Sequence, residues 1–175
     1  ANVAAKEAEA TEKDALIAEK QTAYDNAISE MNAAQAVVDE KASVVTEKES
    51  AVASAQAELE SAQADISVKE QAVADAQSKL DALMVEGESE ENVPSIAEAE
   101  QELADAQAAL ADAQNVVSAK ETALADAQTA LDTANVDLTN AEAEAEAKKQ
   151  VADAIEQELA SEVTAKREAM DAAEA

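Results

Sequence analysis

The chain has 175 residues, a formal net charge of −28 at pH 7 and a single aromatic residue, a composition unlike that of a protein with a round hydrophobic core. It contains no cysteine and no histidine, which excludes disulfides, thiolate zinc sites and catalysis by either residue type. With one glycine in the chain, a glycine-rich phosphate loop is excluded too. We therefore expect no enzymatic activity and no cofactor.

The acidic excess argues against nucleic acid and anionic membrane surfaces as partners, because both are polyanions. No apolar run approaches the roughly 18 residues of a membrane span, so no membrane insertion is expected. Disorder is the rival interpretation for so acidic a chain, but Leu, Ile and Val are placed periodically rather than scattered. Because the sequence starts without Met and ends within the pattern, we expect it to be part of a longer protein.

Residues 1–86 are predicted to form one long helix, because an apolar heptad repeat runs through them without a phase slip. In heptad notation, position a carries the large side chains and position d, three residues later, carries mostly alanine or lysine. Position a comprises Val3, Ala10, Ile17, Tyr24, Met31, Val38, Val45, Val52, Leu59, Ile66, Val73 and Leu80.

Residues 87–94 are predicted to form an acidic turn. Gly87 suits the left-handed conformation that ends a helix, and the residues from Glu88 to Asn92 are polar. Ser95 and Glu98 have the spacing of a capping box, with Pro94 just before it. The alternative, a kink in one continuous helix, does not explain why these signals coincide.

A second helix is predicted over residues 95–175. Its position a carries Ile96, Leu103, Leu110, Val117, Leu124, Leu131 and Leu138, and its position d is mostly alanine. From Leu159 the apolar sites step to Val163 and Met170, a four-residue offset that indicates a stutter in the repeat.

The two helices are predicted to pair with each other as an all-α, long two-helix antiparallel coiled-coil hairpin, one domain roughly 120 Å long. With Leu83 opposite Ile96, large residues face alanines in layer after layer, for example Leu80 with Ala99. A parallel homodimer would stack alanine on alanine and leave gaps. A register one heptad away keeps the large-against-small rule, so this pattern alone does not choose between the two.

Lysines also occupy position d, where their stems can cover apolar partners while their ammonium groups reach adjacent glutamates such as Glu19 and Glu40. A cationic groove for an anion is the alternative. The lysines are Lys6, Lys13, Lys20, Lys41, Lys48, Lys69, Lys120 and Lys148.

Several apolar residues flank the seam rather than lying in it: Leu16, Val37, Val44, Val116 and Ala123. They either widen the core, form a patch for a partner, or join two hairpins into a four-helix assembly. A monomeric hairpin and a hairpin dimer are thus both compatible with the sequence.

The segment Ala-Asp-Ala-Gln recurs at 74–77, 104–107, 111–114 and 125–128. In these repeated segments and in its alanine-rich heptads, the chain resembles the coiled-coil stalks of Gram-positive wall-anchored surface proteins of the adhesin and surface-exclusion type. The resemblance implies an extracellular stalk that projects or supports an adhesive region. The alternatives are a module that binds a host or bacterial surface protein through its acidic helical faces or turn, and an intracellular scaffold.

The layers are predicted to weaken toward the chain ends, where Ala34 faces Ala145 and Ala27 faces Ala152. Tyr24, level with Ile155, should then be the main anchor of that half.

Replacing Tyr24 with Ala should therefore loosen the half of the hairpin that contains the chain ends more than the half that contains the turn, because it removes the one aromatic contact of the seam. Hydrogen exchange measures this directly. Equal protection of the end-containing half before and after the substitution would refute the anchor role of Tyr24.

Overall fold

A computed structural model of the chain describes residues 2–86 and 93–174. It consists of two helices that pack against each other as a helical hairpin, α1 over Asn2–Glu86 and α2 over Val93–Glu174. The predicted all-α hairpin is confirmed.

Helix α2 begins two residues earlier than predicted. Val93 and Pro94 are helical, so Pro94 lies in the first turn. The N–H groups of a first turn have no intrahelical partner, so proline, which lacks an N–H, loses no helical hydrogen bond there. Ser95 is consequently the third helical residue instead of the N-cap, and the capping box with Glu98 is wrong. Gly87 and the rest of the predicted acidic turn up to Asn92 lie outside the described residues.

The hairpin divides into two compact units, each containing a segment of both helices. The terminal unit comprises Ala1–Val45 and Ala134–Ala175, and the turn unit comprises Thr46–Thr133. In the terminal unit Lys20 contacts Glu158 and Lys41 contacts Asp137. Partner numbers fall along α2 as they rise along α1, so the two segments are antiparallel.

The turn unit is antiparallel for the same reason, since Lys120 contacts Glu58 and Lys79 contacts Glu102. In both units these contacts fit the predicted register with Leu83 level with Ile96. A shift by one heptad would move every partner seven residues along the chain.

Burial follows the heptad repeat along both helices. Every a and d site from Lys6 to Leu83 and from Ile96 to Ala169 is buried or half-buried. The most buried residues are mainly alanines, Ala99 at 0% and Ala152 at 1% exposure being the extremes. The Leu, Ile and Val side chains are mostly half-buried, because two helices shield a long side chain on only part of its surface.

The stutter predicted after Leu159 is wrong. Val163 and Met170 are 47% and 46% exposed, whereas Glu162 and Ala169 keep the original frame and are half-buried. Because α2 continues without a break, the same face of the helix meets α1 throughout. The residues on that face are covered whether or not they are apolar.

The alanine layers toward the chain ends are better packed than the sequence suggested. Ala27, Ala34 and Ala152 are all buried, at 7%, 9% and 1% exposure. Small side chains let two helix backbones approach closely, and at these layers the approach shields the alanines from solvent.

Ala99, fully buried and level with Leu80, leaves no room for a longer side chain. We expect Ala99→Leu to destabilise the hairpin by roughly 1–3 kcal/mol through overpacking. Ala104→Leu makes the same chemical change at an exposed site and should have little effect. Thermal unfolding followed by circular dichroism compares the two, and equal melting temperatures would contradict close packing at Ala99.

Candidate functional surfaces

Lysines at position d of the terminal unit form ion pairs across the seam. The Nζ atom of Lys20 lies 2.5 Å from a carboxylate oxygen of Glu158, and that of Lys148 lies 2.7 Å from Glu30. Lys41 and Asp137 are 3.1 Å apart. Lys166, at position a, pairs with Asp14. Each pair joins α1 to α2.

Among the described residues, the turn unit contains fewer such pairs. The Nζ atom of Lys120 lies 2.7 Å from Glu58. Lys79, outside the seam, lies 2.6 Å from Glu102 on the other helix. Lys69 turns back to Asp65 of its own helix, at 3.8 Å.

The predicted partners of the seam lysines were therefore wrong. The carboxylates are mostly on the opposite helix, at position g, the residue immediately before each a site: Glu30, Glu58, Asp137 and Glu158. Sequence analysis missed these four residues, although their heptad position combined with the predicted register is sufficient to find them. Because the ammonium groups of these lysines are already paired, they do not form an open cationic groove.

A simple positional rule governs these contacts. In the pairs of Lys20, Lys41, Lys120 and Lys148, the two residue numbers add up to the same total, one less than the total for facing seam sites. Where the residue that this total assigns to a lysine is alanine, the short pair is lost. For Lys13 that residue is Ala165, and Lys13 reaches Glu162 only at 3.9 Å.

Hydrogen bonding shifts the pKa values of several of these groups. The bond from Lys148 lowers the pKa of Glu30 below its ordinary value of 4.5 and raises the pKa of Lys148. The bond to Glu158 likewise raises the pKa of Lys20. The lysines are half-buried and the carboxylates are exposed, so solvent still screens the attraction.

The turn unit has two unlike sides. On the side of position g, Glu58, Asp65 and Glu102 are each paired with a lysine. On the side of position e, the residue after each d site, the acidic residues have no ion pair among the described residues: Glu49, Glu70, Glu100 and Glu121. The first side is close to neutral and the second is acidic.

In the terminal unit, two open grooves flank the layer of Ala34 and Ala145, one on each side of the seam. The groove on the g side has a volume of about 460 Å³ and is lined by Glu30, Ala33, Ala34, Val37, Ala141, Glu144 and Lys148. The groove on the e side has a volume of about 500 Å³ and is lined by Met31, Asn32, Gln35, Val38, Glu142, Ala145, Glu146 and Lys149.

The structure places the predicted seam residues together. The a sites Tyr24, Val38, Val45, Val52, Leu59, Ile66, Val73 and Leu80 of α1, and Leu103, Leu110, Val117, Leu124, Leu131 and Leu138 of α2, are all buried or half-buried. Of the residues predicted to flank the seam, Leu16, Val37 and Val116 are 37%, 44% and 48% exposed, and Val44 is half-buried.

Over the described residues, neither helix contains a stretch apolar enough to cross a membrane, and no group of three or more acidic residues is arranged to hold a metal ion. No protein-family profile matches the chain, and no curated protein shows significant similarity to it.

Glu30→Gln should lower the melting temperature at pH 7 by roughly 1–2 °C, because it removes one exposed ion pair. The folded-state pKa of Glu30 is lowered, so its contribution is present above about pH 4.5 and is lost as the pH falls. The difference between the native chain and this variant should accordingly shrink as the pH falls below 4.5.

Glu40→Gln is the matched control, because Glu40 is an exposed glutamate outside the ion pairs. It should not lower the melting temperature at pH 7. Equal losses for the two variants would show that the pair with Lys148 contributes nothing.

Proposed function

We propose that this chain is a non-enzymatic structural stalk of a bacterial cell-surface protein, which holds an adhesive region away from the wall. The observation that carries the proposal is the seam, in which a and d sites stay covered from Lys6 to Leu83 and from Ile96 to Ala169. Such a seam uses both helices throughout for mutual packing, as a spacer requires. The extracellular, wall-anchored location rests on the resemblance of the Ala-Asp-Ala-Gln segments to Gram-positive stalks.

The ion pairs support the same function. A seam of Leu, Ile and Val against alanine resists separation of the helices, but it resists sliding less well because its pattern repeats every seven residues. Pairs such as Lys20 with Glu158 and Lys120 with Glu58 oppose sliding, since a slipped register removes their partners. A spacer under load needs both kinds of resistance.

A binding module is the second candidate function. The acidic e side of the turn unit, with Glu49, Glu70, Glu100 and Glu121, favours a cationic partner such as a basic segment of a host or bacterial surface protein. The predicted turn over residues 87–94 is the other candidate contact, and its part from Gly87 to Asn92 lies outside the described residues.

Cell-surface display tests the stalk. The chain is anchored to a Gram-positive wall by its C-terminus, with an epitope inserted between Gly87 and Asn92. Antibody binding should be strong for the native sequence and should fall for a variant with Leu59→Asp and Leu124→Asp, which puts two charges into the seam.

A variant with Val68→Asp and Ala108→Asp is the matched control, because it adds the same charges at exposed sites. It should keep the native level of antibody binding. If the seam variant also keeps it, pairing of the helices is not what presents the epitope, and the stalk proposal fails. Capture of a basic surface protein by the native chain, lost when Glu49, Glu70, Glu100 and Glu121 are changed to Gln, would favour the binding module.

A further inference from the structure

The groove on the g side of the terminal unit lies next to an exposed apolar side chain. Its floor includes Ala34 and Ala141, which are 9% and 7% exposed, and its rim includes Glu30 and Lys148. Val37 stands at its edge and is 44% exposed. A protruding valine and a groove of about 460 Å³ with an alanine floor are therefore neighbours on one surface.

A surface with a projecting side chain next to a groove can be complementary to a second copy of itself. In a twofold dimer the same patch of both copies meets itself. An axis that passes between Val37 and the groove places Val37 of each copy in the groove of the other. The groove needs no foreign side chain to fill it, because the chain presents a suitable one beside it.

Two further valines obey the same symmetry. Val44 and Val151 both occupy position g, and Val151 is 53% exposed while Val44 is half-buried. In the observed register Val151 is level with Ile28. The proposed axis lies next to Val37, so Val44 and Val151 lie on opposite sides of it, each about eight residues or 12 Å away along the helices. The twofold axis that fills the groove also brings Val44 of one copy to Val151 of the other.

Electrostatics permit a second copy at this place. A net charge of −28 makes two copies repel each other over most of their surface. Between Leu16 and Val44, three of the carboxylates at position g, Glu30, Asp137 and Glu158, are neutralised by seam lysines. Two copies can thus approach here with much less repulsion.

We propose that two copies of this chain associate side by side through the g side of their terminal units, with Val37 of each copy in the Ala34–Ala141 groove of the other and Val44 against Val151. This association joins two stalks laterally, which goes beyond a spacer role for a single chain. The axis is perpendicular to the helices, so the terminal units of the two copies run antiparallel, as in stalks that meet from facing surfaces. The patch is small, so the dimer is weak in free solution.

One carboxylate near the axis opposes the association. Glu144 lines the groove and has no ion pair among the described residues, although its charge helps to raise the pKa of Lys148. The axis that brings Val44 to Val151 also brings Val37 of one copy to Glu144 of the other, so association takes this carboxylate out of water without a partner. Removing this charge should strengthen the dimer, an effect that a surface unrelated to the interface would not show.

Sedimentation equilibrium of the full chain at 0.15 M salt tests the proposal. The native chain should show a concentration-dependent monomer–dimer equilibrium. Val37→Glu should weaken association at least about tenfold, equivalent to 1.4 kcal/mol, and Glu144→Gln should strengthen it. Val68→Glu, at an exposed site of 63% in the other unit, is the matched control and should leave association unchanged.

Circular dichroism confirms that each variant keeps its helix content, so a loss of association is not a loss of fold. A strictly monomeric native chain at millimolar concentration overturns the proposal. A dimer that Val37→Glu does not weaken overturns it too, because a different surface would then mediate the contact.

Cross-linking gives a second, independent measurement. The chain has no cysteine, so Val37→Cys introduces a single reactive site close to the proposed axis. A short bismaleimide should link two copies of this variant and should link Val68→Cys much less. Equal yields for both variants indicate random collision and contradict the proposed interface.

Discussion

The register between α1 and α2 depends on where lysines meet carboxylates. A seam of large residues against alanines repeats every seven residues, so its packing tolerates a slip of one heptad. The lysine pairs do not tolerate it. A slip of one heptad in one direction would leave none of the four lysines with a carboxylate: Lys20 would meet Val151, Lys41 would meet Ala130, Lys120 would meet Ala51 and Lys148 would meet Ala23. A slip in the other direction would leave only two of the four lysines with a carboxylate. Each exposed pair is weak, but together they distinguish registers that apolar packing leaves nearly equal.

The same pairs distribute charge over the surface. The chain has only 12 basic residues against 40 acidic ones, and it places many of the lysines in the seam. There they neutralise carboxylates of the opposite helix at position g. In the turn unit, the acidic residues at position e have no ion pair among the described residues, so the two sides of the seam differ in charge there. This asymmetry leaves the e side of the turn unit able to attract a cationic molecule.

Alanine has two consequences here that follow from its size. At Ala99 and Ala152 it lets the helices approach until the side chain is inaccessible to solvent. At Ala34 and Ala145 the flanking side chains do not fill the space on either side, and a groove opens on each. The residue that brings the backbones together also creates the hollow beside which Val37 projects.

The sequence by itself determined the two helices, their antiparallel pairing and the residues of the seam, because a heptad repeat of this length specifies one buried face on each helix. It also contained the register, in the spacing of lysines and carboxylates, although large-against-small packing alone left two registers open. Only the tertiary structure decided that Val163 and Met170 stay exposed while Glu162 is covered, and that grooves open beside Ala34. These outcomes depend on the position of one rigid helix relative to another, and a residue's neighbours on its own helix do not determine that position.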